Sequence, residues 1–491
     1  MHHPRRWLVM TTLAVVFLAA CQDRPQIPTG ADEPTPQSAS NAIAGTIGRC
    51  AERPAESRSF RLSQKVSAFG GFSFDDDGNL VAYVTDLTQA ERVRSALEAV
   101  LRERTTEVGK RRGNQVVVRQ GQYRFEQLCA WRDLFFDTVL DLDGVVHTGV
   151  NQFQNRLNVG ILDEVAEERV RSELVRLGVP SEAVLFRRSA PIVPTDTVLY
   201  VPYVHSEPVI GSTLSSYRRP LEGGLRTTFR RVGQHPDSAF ACTLGFAAVL
   251  DDGTRTMIIN SHCSERSWDL DQTSYFQDRP GSQRYFGYEY RDPNGSSCGT
   301  FSVNVCRWAD ASAIFVEHDV SSNRGFIART TSRAQGPFNL GSILIDSSNP
   351  NFQIVGTQSW MSGNEQVNVV SWRTGWTYGT VDPNRTCEDL SVSYRSYSKL
   401  RCQAFASYTS RRGASGSPVF RWSGGTSVTL AGINWAMTQD STWGVFSPFG
   451  GIQNDLGTLS VIDPNYTPPP PPSSSDPEPC VPEEPYLVCP Q

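Results

Sequence analysis

The decapeptide RRGASGSPVF, residues 411–420, sets two glycines around a serine and turns apolar after a proline. On its own it reads either as a loop entering a strand or as the seat of a nucleophile. Average usage of Gly and Pro makes a Gly-x-Ser-Gly-x-Pro string arise by chance about once per hundred chains this long. A serine hydroxyl is a poor nucleophile near neutral pH. It needs a base, a group that orients the base, and donors for the oxyanion. Partners must therefore lie elsewhere in the 491 residues.

The nearest upstream histidines are His318 and His262. His262, in MIINSHCS, ends an apolar run and is followed at once by Cys263, which can tie back to Cys242. His318, in FVEHD, has no such bracing. In CRWADASAIFV, Asp310 stands before an apolar strand, where a buried carboxylate can accept an imidazole N–H. Asp269, Asp271 and Asp292 lie in polar loop sequence and are expected to be solvated, with Asp319 in reserve. The order His262, Asp310, Ser415 decides between folds. An α/β-hydrolase needs Gly-x-Ser-x-Gly and a histidine after the serine; here Ser417 replaces the second glycine, and no histidine follows. Pro418 and the apolar pair after it do not continue as the helix that a subtilisin-like site requires. Ser396, followed by Lys399, matches Ser-x-x-Lys without its companion motifs.

With these residues in place, the sequence resembles the trypsin/chymotrypsin superfamily, nearest the bacterial alpha-lytic protease and streptogrisin branch. CTLGFAAVLDDGTRTMIINSHC (242–263), RWADASAIFV, RTGWTYGTV (373–381), GASGSPVF and AGINWAM (431–437) fall in the family's order. The resemblance covers about half of the chain and implies a mainly β fold, two six-stranded antiparallel β-barrels with a cleft between them. It implies that Ser415 is the nucleophile, His262 the general base and then acid, and Asp310 the orienting carboxylate. Gly413 and Ser415 would supply the oxyanion N–H groups. Asn434, Trp435 and Ala436 would pair with substrate backbone, and Thr409, uncharged at the base of the pocket, implies no strong Lys/Arg preference. Ala436, where relatives carry glycine, points to small or medium apolar side chains. Ala414 stands where animal members carry an aspartate that pairs with a new N-terminus, so that switch is missing.

Upstream of this half the texture changes. Residues 1–21 have a basic start, an apolar run and Leu-Ala-Ala-Cys, a secretion signal whose end resembles a bacterial lipobox, with Cys21 as the lipidated residue. Residues 22–48 are a polar, proline-rich tether. Within 49–194, LVAYVTDLTQAERVRSALEAVL (80–101) aligns without gaps on LNVGILDEVAEERVRSELVRLG (157–178). Each copy reads as an apolar strand, a capping aspartate and an amphipathic helix. A small α+β repeat domain results, and by its placement it resembles a pro-region; its lone His147 is expected to be a surface or core residue rather than a ligand. Residues 195–218 read as a linker, 219–465 as the all-β domain and 466–491 as a proline-rich tail.

The eleven cysteines are an odd number; removing Cys21 leaves ten that pair in order. The expected bridges are Cys50–Cys129, Cys242–Cys263, Cys298–Cys306, Cys387–Cys402 and Cys480–Cys489. None shows the spacing of a zinc site, and no metal or cofactor is expected. A net charge of −5 gives no reason to expect nucleic acid as a partner. The expectation is an exported, lipid-anchored serine endopeptidase of the bacterial cell envelope acting on proteins or peptides. The alternative is an inactive protease-like surface binding or scaffold protein, and an esterase-like acyl hydrolase is a third class using the same three residues.

Overall fold

Two repeated sequence copies become two copies of one folding unit. The computed structural model describes residues 57–105, 115–200, 212–233, 238–277, 284–299, 304–394, 398–467, 481–483 and 486–488. The signal, Cys21, the tether, Cys50, Cys480 and Cys489 lie outside the described residues. In the first copy, Phe69–Phe74 pairs antiparallel with Leu80–Val84, the helix Ala90–Thr105 crosses over, and Val116–Gln120 returns parallel to Leu80–Val84. In the second, Val145–Asn151 pairs antiparallel with Arg156–Ile161, the helix Glu164–Leu177 crosses, and Val184–Arg188 returns parallel. A parallel return needs a crossover of a dozen or more residues, which is what each helix supplies.

The aspartates sit where the pattern puts them. Asp163 caps the second helix by accepting from the Ala166 N–H, and Gly178 ends it in the left-handed conformation at φ +66°. Asp86 accepts from the Thr88 N–H one turn earlier, on a short 3-10 turn that leads into the first helix. Both units share one core with the helix Phe125–Asp137, built around Phe69, Leu97, Phe125, Leu157, Val170 and Leu174.

The rest of the described chain is mainly β. Residues 226–316 pair in a cycle. Arg226–Phe229 pairs with Ser274–Phe276, and the pairing passes through Tyr285–Arg291, Ser312–Val316, Arg255–Ile259 and Phe246–Val249. Past the turn at Gly245, Ser238–Thr243 pairs back with Arg226–Phe229. Phe229, Phe246, Ile258, Tyr275, Phe286 and Ile314 fill it. A second cycle runs from Gln366–Ser371 to Pro418–Trp422, Ser427–Thr438, Gly444–Pro448 and Ser398–Ala406. The bridge from Val381 to Ala406 leads back through Gly375–Thr380 to the start. Among the described residues no helix is long and apolar enough to cross a membrane.

Among the described residues both halves of three bridges are seen: Cys242–Cys263, Cys298–Cys306 and Cys387–Cys402. Cys129 is also disulfide-bonded. Bridges of this kind persist in oxidising compartments and suggest an exported protein.

The repeat domain and the segment after it pair with strands of the β half. Val145–Asn151 pairs antiparallel with Glu388–Val392, so one sheet runs across the seam. Residues 192–194, at the end of the expected α+β domain, and 197–200, in the stretch expected to be linker, form two short strands. Ile192–Pro194 pairs with Ser427–Thr438, and Thr197–Tyr200 with Ser238–Thr243. Proline and the polar Thr-Asp pair mask the strand signal here, because the pairing partner is remote in sequence.

Candidate active site

The first cycle supplies His262 and Asp310 from the ends of neighbouring strands. His262 sits in a 3-10 turn, Ser261–Cys263, that follows Arg255–Ile259. The Cys242–Cys263 bridge ties that turn to the strand Ser238–Thr243. Closing a loop of this length stabilises by about 3 kcal/mol. Asp310 precedes Ser312–Val316. Its own N–H donates to Ser447 Oγ at 3.0 Å, and its carbonyl accepts from Asn260 Nδ2 at 2.6 Å.

Behind it, Arg307 is fully buried and donates to Asp292 Oδ1 at 2.7 Å and to the Ala311 carbonyl. Asp455 accepts from the Trp308 and Ala309 N–H groups at 2.9 and 2.8 Å. Asp292 is thus buried rather than solvated. Its partner Arg307 stands on a neighbouring segment, which a local reading of polar loop sequence does not register. His318 and Asp319, the reserve candidates, are exposed.

The second cycle supplies Ser415, in the loop before Pro418–Trp422. Gly413 has φ +99° and Gly416 φ +91°. A Cβ on Gly416 would lie 1.9 Å from the Thr243 carbonyl oxygen, so only glycine fits. The three side chains meet. His262 Nδ1 lies 2.5 Å from Asp310 Oδ2, and His262 Nε2 lies 2.7 Å from Ser415 Oγ. All three residues are buried, at no more than 2% exposure. Burial by itself raises the Asp310 carboxyl. The charge of His262 and hydrogen bonds from His262 and Tyr394 outweigh it, and the net direction is down.

Tyr394 was not singled out by the sequence, where it is one tyrosine in a polar loop. Its hydroxyl donates to Asp310 Oδ2 at 2.5 Å, and its ring stacks on His262 with centroids 5.8 Å apart. Burial, then the Asp310 charge, drives the Tyr394 phenol well above its ordinary value, so it remains a donor.

The cleft is occupied by the chain itself. The Thr195 carbonyl accepts from the Gly413 N–H and, at 3.5 Å, from the Ser415 N–H. Thr195 N–H donates to the Trp435 carbonyl at 3.2 Å, and Pro194 stands opposite Ala436. Thr195 Oγ1 lies 2.9 Å from Ser415 Oγ. Asn434 Nδ2 donates to the Ala414 carbonyl at 3.0 Å and to Thr195 Oγ1 at 3.3 Å. Thr409 turns its hydroxyl to the Asn339 carbonyl, 2.7 Å away. Tyr408, fully buried, donates to Asn434 Oδ1 at 2.8 Å and packs so close to Gly444 that a Cβ there would lie 2.2 Å from its ring. The Asn434 side chain is thus held by protein partners on its far side.

On the other side of Thr195, Arg231 donates to Asp196 Oδ2 at 2.9 Å, to the Ser264 carbonyl at 3.0 Å and to the His262 carbonyl. Neither Arg231 nor Asp196 carries a local sequence signal.

No family model and no curated protein matches the chain. It is similar to a solved Nocardiopsis protease at 15% identity and a TM-score of 0.31, over 49% of this chain and 98% of that one. Thermobifida fusca protease A is similar at 13% identity and a TM-score of 0.30, over 49% and 97%. Cellulomonas bogoriensis chymotrypsin is similar at 16% identity and a TM-score of 0.30, over 49% and 97%.

Proposed function

We propose that the chain is a serine endopeptidase that cuts peptide bonds through Ser415, His262 and Asp310. One observation carries the reading: Ser415 Oγ lies against His262 Nε2 at 2.7 Å while a peptide carbonyl accepts from the Gly413 and Ser415 N–H groups. Ser415 Oγ attacks the substrate carbonyl carbon as His262 Nε2 takes its proton. Asp310 holds the imidazole by Nδ1 and stabilises the imidazolium, and the two N–H groups take the oxyanion. His262 returns the proton to the leaving amine, and water then releases the acyl group from Ser415. Substrate backbone adds along the strand at Trp435 and Ala436, as Ile192–Pro194 does.

With Ser238–Thr243 and Phe246–Val249 counted as one interrupted strand, the two strand cycles support reading the β half as a pair of six-stranded barrels, with the site between them. The α+β repeat, residues 49–194, serves as a pro-region, supported by its seam with Glu388–Val392 and by the strand it sends into the cleft. Export and anchoring through Cys21 rest on the composition of residues 1–21 and on the disulfides. A serine-directed fluorophosphonate tests the reading on a full chain whose residues 191–198 are replaced by glycine and serine to clear the cleft. Covalent label on Ser415, lost in Ser415→Ala and in His262→Ala, is expected. A folded, cleared protein that takes no label overturns it.

A further inference from the structure

The segment in the cleft has the direction, register and polar contacts of a substrate rather than of a plug. Its residues 192–194 lie antiparallel on Ser427–Thr438, and residues 197–200 lie antiparallel on Ser238–Thr243. Strands on both sides of one peptide unit leave the Thr195 carbonyl facing the two N–H donors. That unit is the Thr195–Asp196 bond. Beyond it, Asp196 meets a cation that is already held in place. Arg231 is fixed by the Ser264 and His262 carbonyls and lies over the Phe240 ring at 4.0 Å. Asp196, Arg231 and His262 share a cleft of about 630 Å³ with Pro194, Glu265 and Tyr394. Arg266, on the same cleft, pairs with Asp269 at 3.0 Å, which leaves Arg231 as the cation on Asp196.

We propose that Arg231 selects an acidic residue immediately after the cut bond, so that the Thr195–Asp196 bond of this chain is a substrate of its own site. The proposal rests on the endopeptidase reading and extends it to a substrate class: a small residue such as threonine, preceded by proline and followed by Asp or Glu. Asn434 Nδ2 meets the hydroxyl at the first position, and Arg231 reads the last. In the step, Ser415 Oγ bonds to the Thr195 carbonyl carbon and the C–N bond to Asp196 breaks. His262 passes the serine proton to the Asp196 nitrogen. Water then hydrolyses the ester, leaving a Thr195 carboxylate and a free Asp196 amine.

The test follows the full chain in time, with N-terminal sequencing and intact mass of the fragments. A new terminus at Asp196 is expected, appearing at a rate independent of protein concentration and absent in Ser415→Ala. Asp196→Lys slows cleavage at this bond by about tenfold or more, as like charges meet at a built contact. Arg231→Glu combined with Asp196→Lys recovers most of that loss, which a purely structural role for Arg231 would not produce. A stable intact chain, or a first cut at another bond, overturns the assignment. Equal rates for the unaltered chain and the Asp196→Lys variant, or no rescue by the swap, overturn the role of Arg231. Labelling of Ser415 in the cleared chain separates these failures from failure of the endopeptidase reading.

Discussion

Among the contacts of the N-terminal region with the β half, the seam and the cleft are made of the same material, antiparallel backbone pairing. At the seam, Val145–Asn151 extends the sheet at Glu388–Val392, and His147 Nδ1 lies 2.6 Å from Glu388 Oε2 with both side chains buried. In the cleft, Ile192–Pro194 pairs over three positions, as the seam does, yet the segment delivers a carbonyl to two N–H donors beside a serine. The difference lies in what stands at the end of the strand. A ladder binds; chemistry needs an acceptor carbon held where a base, a hydroxyl and an oxyanion site converge.

Changes that touch only the cleft have the largest expected effect. Asp310→Asn keeps the seam intact and lowers kcat by about ten-thousand-fold, through the wrong imidazole tautomer. Steady-state hydrolysis of a peptide by processed protein checks this, and a loss below about tenfold would separate Asp310 from the chemistry.

The seam is broken by Glu388→Ala, which strips His147 of its carboxylate and leaves a buried polar group. Leaving a buried hydrogen-bonding group without its partner costs about 1–3 kcal/mol. The repeat units should then melt at lower temperature than the β half, and a single unchanged transition would show that the seam contributes little.

A third change sets pH against stability. Burial, then the neighbouring Asp292, pushes the Glu289 carboxyl up to about 10. The folded protein keeps this proton while the unfolded chain, with a pKa of about 4.3, releases it. Stability therefore falls as pH rises between those values, by up to about 1.4 kcal/mol per unit. Glu289→Gln flattens that slope, which urea midpoints at pH 5 and pH 8 would report.

The smallest effect is at the second repeat. Asp163→Ala removes one helix cap and costs about 1 kcal/mol in urea denaturation.

How far the sequence carries depends on the distance over which each signal acts. The repeat was legible because strand, cap and helix are local patterns, and both copies fold as the same unit. His262, Asp310 and Ser415 could be named from their neighbours, Cys263, the strand after Asp310 and the glycines around Ser415. Their meeting in space rests on two strand cycles whose closure no local stretch encodes. Tyr394, Arg231 and Thr195 were not named. Each reaches the site from a segment whose own composition is that of an ordinary loop or linker. Asp292 shows the converse: a polar stretch suggested solvent, and a remote arginine made the position a buried one.

The strand lodged beside Trp435 has a consequence for any measurement on the intact chain. A segment tethered to its own site competes at an effective concentration in the millimolar range. On the proposed reading, any added peptide meets a resident rival, and its apparent KM is inflated by that rival rather than by weak recognition. Once the tether is cut, the repeat units still hold on by two separate pairings, so the competitor leaves only when both release. Activity should then rise with dilution as well as with time, and the lag before turnover would measure how long the severed half stays bound.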